Sequence, residues 1–290
     1  MIVENILYGY DYDTKNNILI GRENIKDYGF FSTFTLMLTS LMVVYKKYKK
    51  LPNKIDGKHL LRKLKNDSNI DMYHHFFHIN KSLKINFDDF EIPVPFSPDD
   101  QHTIYSEKYS KYYNKFFKKY FNVNDNIKEK IQELIEKYNV DLDNTISVIY
   151  RDSDKWTDMG GFNYISAGGY FRKCQELFES DGNRPKVLIQ SENNGVIGVF
   201  SQSFDTTFFK ETSLGNSSEI YPPIPLDDDK KITWSEYYIA SLWIHSKCKY
   251  VITYTGNSGF FVYLNRGTTH NLTQEITFTK NYNDFFVTNN

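Results

Sequence analysis

The 290 residues suffice for one large domain or two of moderate size, and 40% apolar and 17% aromatic content, with 23 Tyr and 23 Phe, excludes a disordered chain. Lys and Arg number 35 against 36 Asp and Glu, for a formal charge of -1, which argues against a protein that holds nucleic acid by wholesale phosphate neutralisation. Cys174 and Cys248 lie far apart without CxxC or metal-type spacing; neither a zinc site nor a disulfide framework is indicated, and a reducing, cytoplasmic setting is expected.

The amino-terminal stretch MIVENILYGYDYDTKNN carries acids where a signal peptide would be basic, and it lacks a long apolar run. Asn17 to Ile20 then reads as a short strand, KDYGFFST as a turn, and Phe34 to Lys50 as a helix that is apolar nearly all round and ends in KKYKK. Thr35, Thr39 and Ser40, together with the helix length, favour a buried core helix over a membrane span, so no firm membrane association is expected. A second, basic helix is expected over Gly57 to Lys65, followed by DMYHHFFHIN and the strand-like LKINF. His74, His75 and His78 have no carboxylate or Cys to complete a ligand set, which makes them aromatic packing residues and not a metal centre. Pro93, Pro95 and Pro98 mark an extended connection.

Two helices follow, Tyr105 to Phe121 and Asn126 to Tyr138; the second sets Ile127, Ile131, Leu134 and Ile135 against Glu and Lys as a surface helix does. A change of domain is expected between Tyr138 and Asn144, dividing the chain into 1–140 and 141–290. From Thr145 the rhythm is regular: strand 145–150, helix Gly169 to Glu179, strand Lys186 to Gln190, helix Val196 to Ser203 and strand Thr207 to Lys210. A polar loop from Gly215 to Lys231 leads to helix Ser235 to Ser246, strand Tyr250 to Tyr254 and helix Phe260 to Leu264. Alternation of this kind predicts an α/β fold with a parallel, Rossmann-like sheet.

The loops after three of these strands meet along one edge of such a sheet. They are YRDSDK, QSENN and TYTGNSG. Arg151 can form paired charged hydrogen bonds to a diphosphate. Ser191, Glu192 and Asn193 offer donors and acceptors to a base or ribose, and Thr255, Gly256, Asn257 and Ser258 open a helix whose amino terminus attracts anions. Neither GxxxxGK[ST] nor GxGxxG occurs.

These stretches resemble the donor domain of the α1,6 and α1,2 fucosyltransferases and protein O-fucosyltransferases. In that family a strand ends in HxRRxDK or a close variant, and VIYRDSDK stands here. The resemblance extends through KVLIQSENN, like the strand with an acidic turn that contacts guanosine, and through CKYVITYTGNSGFFVYL, like the strand and Ser-rich turn beneath the phosphates. DYGFFSTF is similar to the glycine-rich loop that crosses to the donor, matching at Gly29. About 150 residues are covered; the first 144 match in outline. The chain departs from the family at the histidine, replaced by Ile149 or Tyr150, at the second arginine, replaced by Asp152, at the acidic turn, which has Glu192, and in having one glycine in the amino-terminal loop.

The resemblance implies a GT-B glycosyltransferase with two Rossmann-like domains facing a cleft, the first irregular, helix-rich and on the acceptor side, the second holding the nucleotide sugar. GDP-fucose is the expected co-substrate and a glycan or other hydroxyl compound the acceptor, with inversion, no cofactor and no metal; DSD at 152 to 154 has the spelling of a metal motif, but the resemblance gives it to phosphate contact. Arg151 would bind the β-phosphate and assist its departure, Asp154 and Lys155 would support the donor, and Asp158, offset by one position, would be the base. Three alternatives stay open: a transferase using another nucleotide sugar, a non-catalytic nucleotide- or sugar-binding protein on the same scaffold, and a structural or capsid-associated interaction protein.

Overall fold

The computed structural model describes residues 3–7, 9–23, 29–65, 69–85, 107–151, 166–212, 228–254, 256–268, 270–275 and 285–287. The chain forms two compact units, Met1–Lys128 with Asp228–Ile232, and Glu129–Asp227 with Thr233–Asn290.

The first unit opens with β1 (Val3–Leu7), β2 (Tyr10–Asp13) and β3 (Ile18–Gly21), paired antiparallel in that order, and β4 (Lys54–Asp56) lies parallel to β3. The alternation Tyr-Asp-Tyr-Asp buries Tyr10 and Tyr12 completely. Asp13 then accepts from the backbone N–H of Lys15 and of Asn16, each at 3.0 Å, and Asn17 takes a φ of 58°, so the chain turns straight back into β3. This direct reversal leaves no room for a crossover helix. The described sheet of the first unit is therefore mostly antiparallel, where a Rossmann-like one is expected from the resemblance.

Between β3 and β4 runs α1 (Phe30–Tyr48), buried along most of its length. It accommodates its polar residues by turning them on its own backbone: Thr35 and Thr39 each donate at 3.0 Å, and Ser40 at 2.8 Å, to the carbonyl four residues back. The helix expected over Gly57 to Lys65 is instead an irregular turn with a single 3-10 stretch, Arg62–Leu64, because Leu61 takes a φ of 51° and the Gly57 N–H is held by Asp71 at 3.0 Å. Of the strand-like LKINF, Leu83 to Ile85 lie outside any strand, and the remainder lies outside the described residues, as does the proline-containing connection.

The histidine run forms α2 (Met72–Phe76) and β5 (Phe77–His78). After α3 (Glu107–Tyr120), β6 (Asn122–Val123) pairs with β5. Phe30, Phe34, Phe76, Phe77 and Phe121 pack edge to face across these elements. His74 Nε2 lies 2.9 Å from the Ile55 carbonyl and His78 Nδ1 2.9 Å from Asn124 Oδ1, so both rings have structural partners. Among the described residues no group of three or more His, Cys, Asp or Glu could hold a metal ion, and no helix is long and apolar enough to cross a membrane.

The amphipathic helix α4 (Asp125–Tyr138) begins in the first unit, and most of it belongs to the second. Glu133 accepts from the Tyr237 hydroxyl at 2.6 Å, and Tyr138 donates to Glu211 at 2.9 Å. The sheet of the second unit contains β7 (Thr145–Tyr150), β8 (Lys186–Ser191), β9 (Thr206–Thr207), β10 (Tyr250–Thr253), β11 (Leu272–Glu275) and β12 (Phe285–Val287) in the spatial order β12-β11-β10-β7-β8-β9. All pairs are parallel except β11 with β12. The helices α5 (Ala167–Ser180), α6 (Asn194–Ser203), α7 (Asp228–Lys247) and α8 (Asn257–Arg266) alternate with the strands. The start of α7 occupies 228–231, which the sequence pattern assigns to the preceding loop, and Lys210 lies in a 3-10 turn and not in a strand. Cys174 and Cys248 are buried free thiols, each pushed up to about 12 by burial.

His245 of α7 also lies wholly inside this core, 0% exposed, with Nδ1 2.7 Å from Ser147 Oγ and Nε2 without a hydrogen-bond partner. Burial pushes its pKa down to about 3, below the roughly 6.5 of an unfolded chain. The unfolded state then binds the extra proton first, so the stabilisation is complete above about pH 6.5 and is lost as the pH falls toward the folded value. Unfolding by urea should show about 2 kcal/mol less stability at pH 5 than at pH 7.5 from this residue, and His245→Gln should flatten that difference; an equal slope in both proteins would remove His245 as its source.

Candidate functional site

The chain moves from β7 through β8 to β9 on one side and then crosses back to place β10 on the other side of β7. This reversal opens a crevice outside the carboxyl ends of β7 and β10, the place where open parallel sheets take their ligands. Arg151, half-buried, is the first residue beyond β7. All six residues of β7 are buried, so the apolar run fixes the strand in the middle of the sheet and delivers the guanidinium at its end.

Register brings the neighbouring loops to the same level. Tyr150 pairs with Ser191, so Arg151 and Glu192 leave the sheet side by side. On the other flank Val148 pairs with Ile252, two residues before Tyr254 and four before Gly256. Arg151 and Glu192 thus stand at the ends of adjacent strands, with Tyr254 at the end of the strand on the other side of β7.

The side chains divide into different tasks. Asn193 caps α6, its Oδ1 accepting from the N–H of Gly195 at 2.9 Å and of Val196 at 3.3 Å. Ser191 Oγ accepts from the Asn193 N–H at 3.1 Å. Both therefore brace the loop that carries Glu192. Across the crevice Gly256 precedes α8, and Asn257 and Ser258 form its first turn, which contains no acidic residue to offset the positive end of the helix. Gly29 stands immediately before α1 in the first unit, where its carbonyl accepts from the Thr33 N–H at 3.0 Å. Asp154, Lys155, Asp158 and Thr255 lie outside the described residues.

A helix that the sequence pattern did not associate with the site completes its wall. Trp234, Tyr238, Ser241 and His245 form one stripe of α7 at helical spacing. His245 meets Ser147 within β7, Ser241 donates to Gln190 Oε1 near the end of β8 at 2.7 Å, and the Tyr238 hydroxyl lies 3.4 Å from Ser258 Oγ in α8. The stripe climbs from the core to the crevice. Burial raises the Tyr238 phenol well above its ordinary value; Tyr254 and Glu192 add to this, while the Ser258 hydrogen bond and Arg151 oppose it. Tyr238 thus lies within electrostatic reach of residues on all three loops.

The tightest contact of the site is between α8 and the end of β10. A Cβ on Gly259 would lie 2.1 Å from the Tyr254 carbonyl oxygen and 3.1 Å from Thr253 Oγ1. Thr253 Oγ1 is itself buried without a hydrogen-bond partner. Only glycine allows the helix to start this close to the strand.

No protein-family model matches the sequence, and no curated protein matches it. Among solved structures the chain is similar to the NodZ alpha-1,6-fucosyltransferase soaked with GDP-fucose, at 12% identity over 80% of this chain and 88% of that one, with a TM-score of 0.49. Fucosyltransferase NodZ from Bradyrhizobium is similar at 13% identity over 83% and 91% of the two chains, with a TM-score of 0.48. For NodZ co-crystallised with GDP the figures are 12%, 79%, 88% and 0.48. The structural likeness is one of outline.

The packing of Gly259 has a measurable consequence. Gly259→Ala should lower unfolding stability by about 2 to 3 kcal/mol through overpacking against backbone. Gly198→Ala in α6, where the added carbon meets nothing within 4 Å, should raise it by about 0.5 to 1 kcal/mol through helix propensity. Equal effects in urea denaturation would contradict the close approach.

Proposed function

We propose that the chain is a GT-B glycosyltransferase that transfers a sugar from a nucleoside diphosphate sugar, with GDP-fucose as the first donor to test. The observation that carries this reading is the half-buried arginine at the switch point of a parallel sheet, flanked by an acidic loop and an acid-free helix start. A leaving diphosphate gains negative charge as the glycosidic bond breaks, and a guanidinium in a partly enclosed site stabilises that charge without any metal ion. Arg151 takes this role, the positive end of α8 adds to it, and Glu192 is available to the base or ribose.

In the reaction the acceptor hydroxyl oxygen attacks the anomeric carbon from the face opposite the diphosphate. The bond from that carbon to the β-phosphate oxygen breaks, and the electron pair leaves with the nucleoside diphosphate. The acceptor proton passes to a carboxylate, for which Asp158 is the proposed base, and the configuration inverts in a single displacement. Within this reading Gly29, Asp154, Lys155 and Thr255 also contact the donor, the second unit holds the nucleotide, and the first unit is the acceptor side.

A panel of GDP, UDP, CMP and their sugars should reveal one nucleotide family that raises the melting temperature, with a ligand at 100 times its Kd adding about 2.7 kcal/mol. Arg151→Ala should lower turnover of the donor by about 100-fold or more, the scale of one lost transition-state contact, and activity should survive excess chelator. Binding of the donor with no hydrolysis or transfer by the wild-type protein would identify a binding module instead; stabilisation by UDP compounds alone would change the donor but keep the transferase.

A further inference from the structure

We propose that Tyr238 is a donor-site residue whose phenol hydroxyl donates a hydrogen bond to the diphosphate of the nucleotide sugar, beside Arg151. The inference rests on the nucleotide-sugar reading and adds to it a residue supplied by a helix instead of a strand-end loop. Continuing the strand alternation of β7 from Ser147 through Ile149 carries Arg151 onto the face of the sheet that α7 covers, since Ser147 meets His245 of that helix. Ser241, one turn before His245, meets Gln190, which pairs with Ile149. Tyr238, a further turn toward the crevice, then stands at the level where the strands end and α8 begins. Its hydroxyl lies 3.4 Å from Ser258 Oγ.

Three features suit this hydroxyl to an anionic ligand. The 3.4 Å distance to Ser258 Oγ is long for an O–H···O bond, which is normally near 2.7 to 2.8 Å, so that contact is weaker than a hydrogen bond to a charged phosphate oxygen would be. Its ring is stacked on Trp234, with centroids 4.9 Å apart and planes at 27°, and the helix backbone fixes the root of the side chain, so little freedom is lost on binding. Its environment keeps the phenol protonated, so it presents a donor and no competing negative charge. Arg151 supplies charge from the neighbouring strand end, and the two groups together would grip the diphosphate from the sheet side and the helix side.

The test compares wild type with Tyr238→Phe, which keeps the ring and its stacking on Trp234. Affinities for GDP and UDP are measured by calorimetry, together with the melting temperature of the ligand-free proteins. The expected result is an about tenfold weaker Kd for whichever diphosphate the wild type binds, the factor carried by one lost hydrogen bond to a charged group, with the ligand-free melting temperature changed by no more than about 2 °C. Equal affinity in the two proteins, with wild type binding a diphosphate, overturns the role of Tyr238 and leaves the transferase reading intact. Absence of any nucleotide binding by wild type overturns both. The corresponding nucleoside, which lacks the diphosphate, provides the second measurement: a Tyr238→Phe loss as large for the nucleoside as for the diphosphate would mean that the hydroxyl acts only by holding the shape of the site, and would overturn direct donation.

Discussion

The complete burial of β7 between β8 and β10 is the constraint on which the rest of the second unit depends. Six consecutive buried residues, Thr145 to Tyr150, can exist only where both faces of the sheet are covered and both strand edges are paired. Once that is satisfied, the next residue has no choice of place. Arg151 emerges at the centre of the sheet edge, in the gap created because the chain visits β8 and β9 on one side before returning to β10 on the other. Its position follows from topology, and its chemistry follows from being a charge held where the surrounding protein limits access of water.

The elements around the crevice share a second property, which is that several of their polar groups have a mechanical task. Asn193 and Ser191 are examples: each spends an oxygen on the backbone of the loop between β8 and α6. That bracing holds Glu192 between two anchored neighbours. On the opposite side Gly259 lets α8 approach Tyr254 so closely that the first helical turn lies against the end of β10. The same logic governs α7, where Ser241 and His245 are admitted to the interior because Gln190 and Ser147 meet them. The stripe changes character along its length, from a buried pair in the core to a hydroxyl at the strand ends.

Much of the second unit was legible in the sequence because its strands are short apolar runs with abrupt polar ends. The strand at 145–150 agrees with its observed limits, and β8 and β10 differ from expectation by a residue at their carboxyl ends. Pattern was less informative where side chains work against their usual preferences. Helix α8 starts at Asn257 and not at Phe260, since Asn, Ser and Gly are poor helix formers and their place in the first turn is imposed by packing on β10. The hairpin strands β1 and β2 were missed because their acids dilute the apolar signal, although the Tyr and Asp of β2 do alternate. The basic stretch after Gly57 carries helix-forming residues, but the left-handed Leu61 and the Asp71 contact to Gly57 override them. At the site itself, Arg151 announced itself as a charge after an apolar strand. Tyr238 did not, because a tyrosine at helical spacing with Trp234 reads as ordinary core, and only the contact with Ser258 reveals which end of the helix it occupies.

The departures from the fucosyltransferase pattern gain physical meaning from this arrangement. Asp152 stands where the fucosyltransferase pattern has a second arginine, so the sequence after β7 has one cation fewer and one anion more than that pattern. A diphosphate bound there would meet less positive charge from the strand-end loop alone. The acid-free first turn of α8 and a neutral phenol on α7 are both sources of attraction that carry no formal charge, and both lie at the same level as Arg151. A site that has exchanged an arginine for an aspartate can hold the same ligand class if oriented dipoles replace the missing charge, because a dipole fixed by helix geometry costs no reorganisation when the leaving group develops its own. Under the proposed function the substitution would bear chiefly on which sugar and base are accepted, and groups that the strand motif does not contain would keep the clamp on the diphosphate.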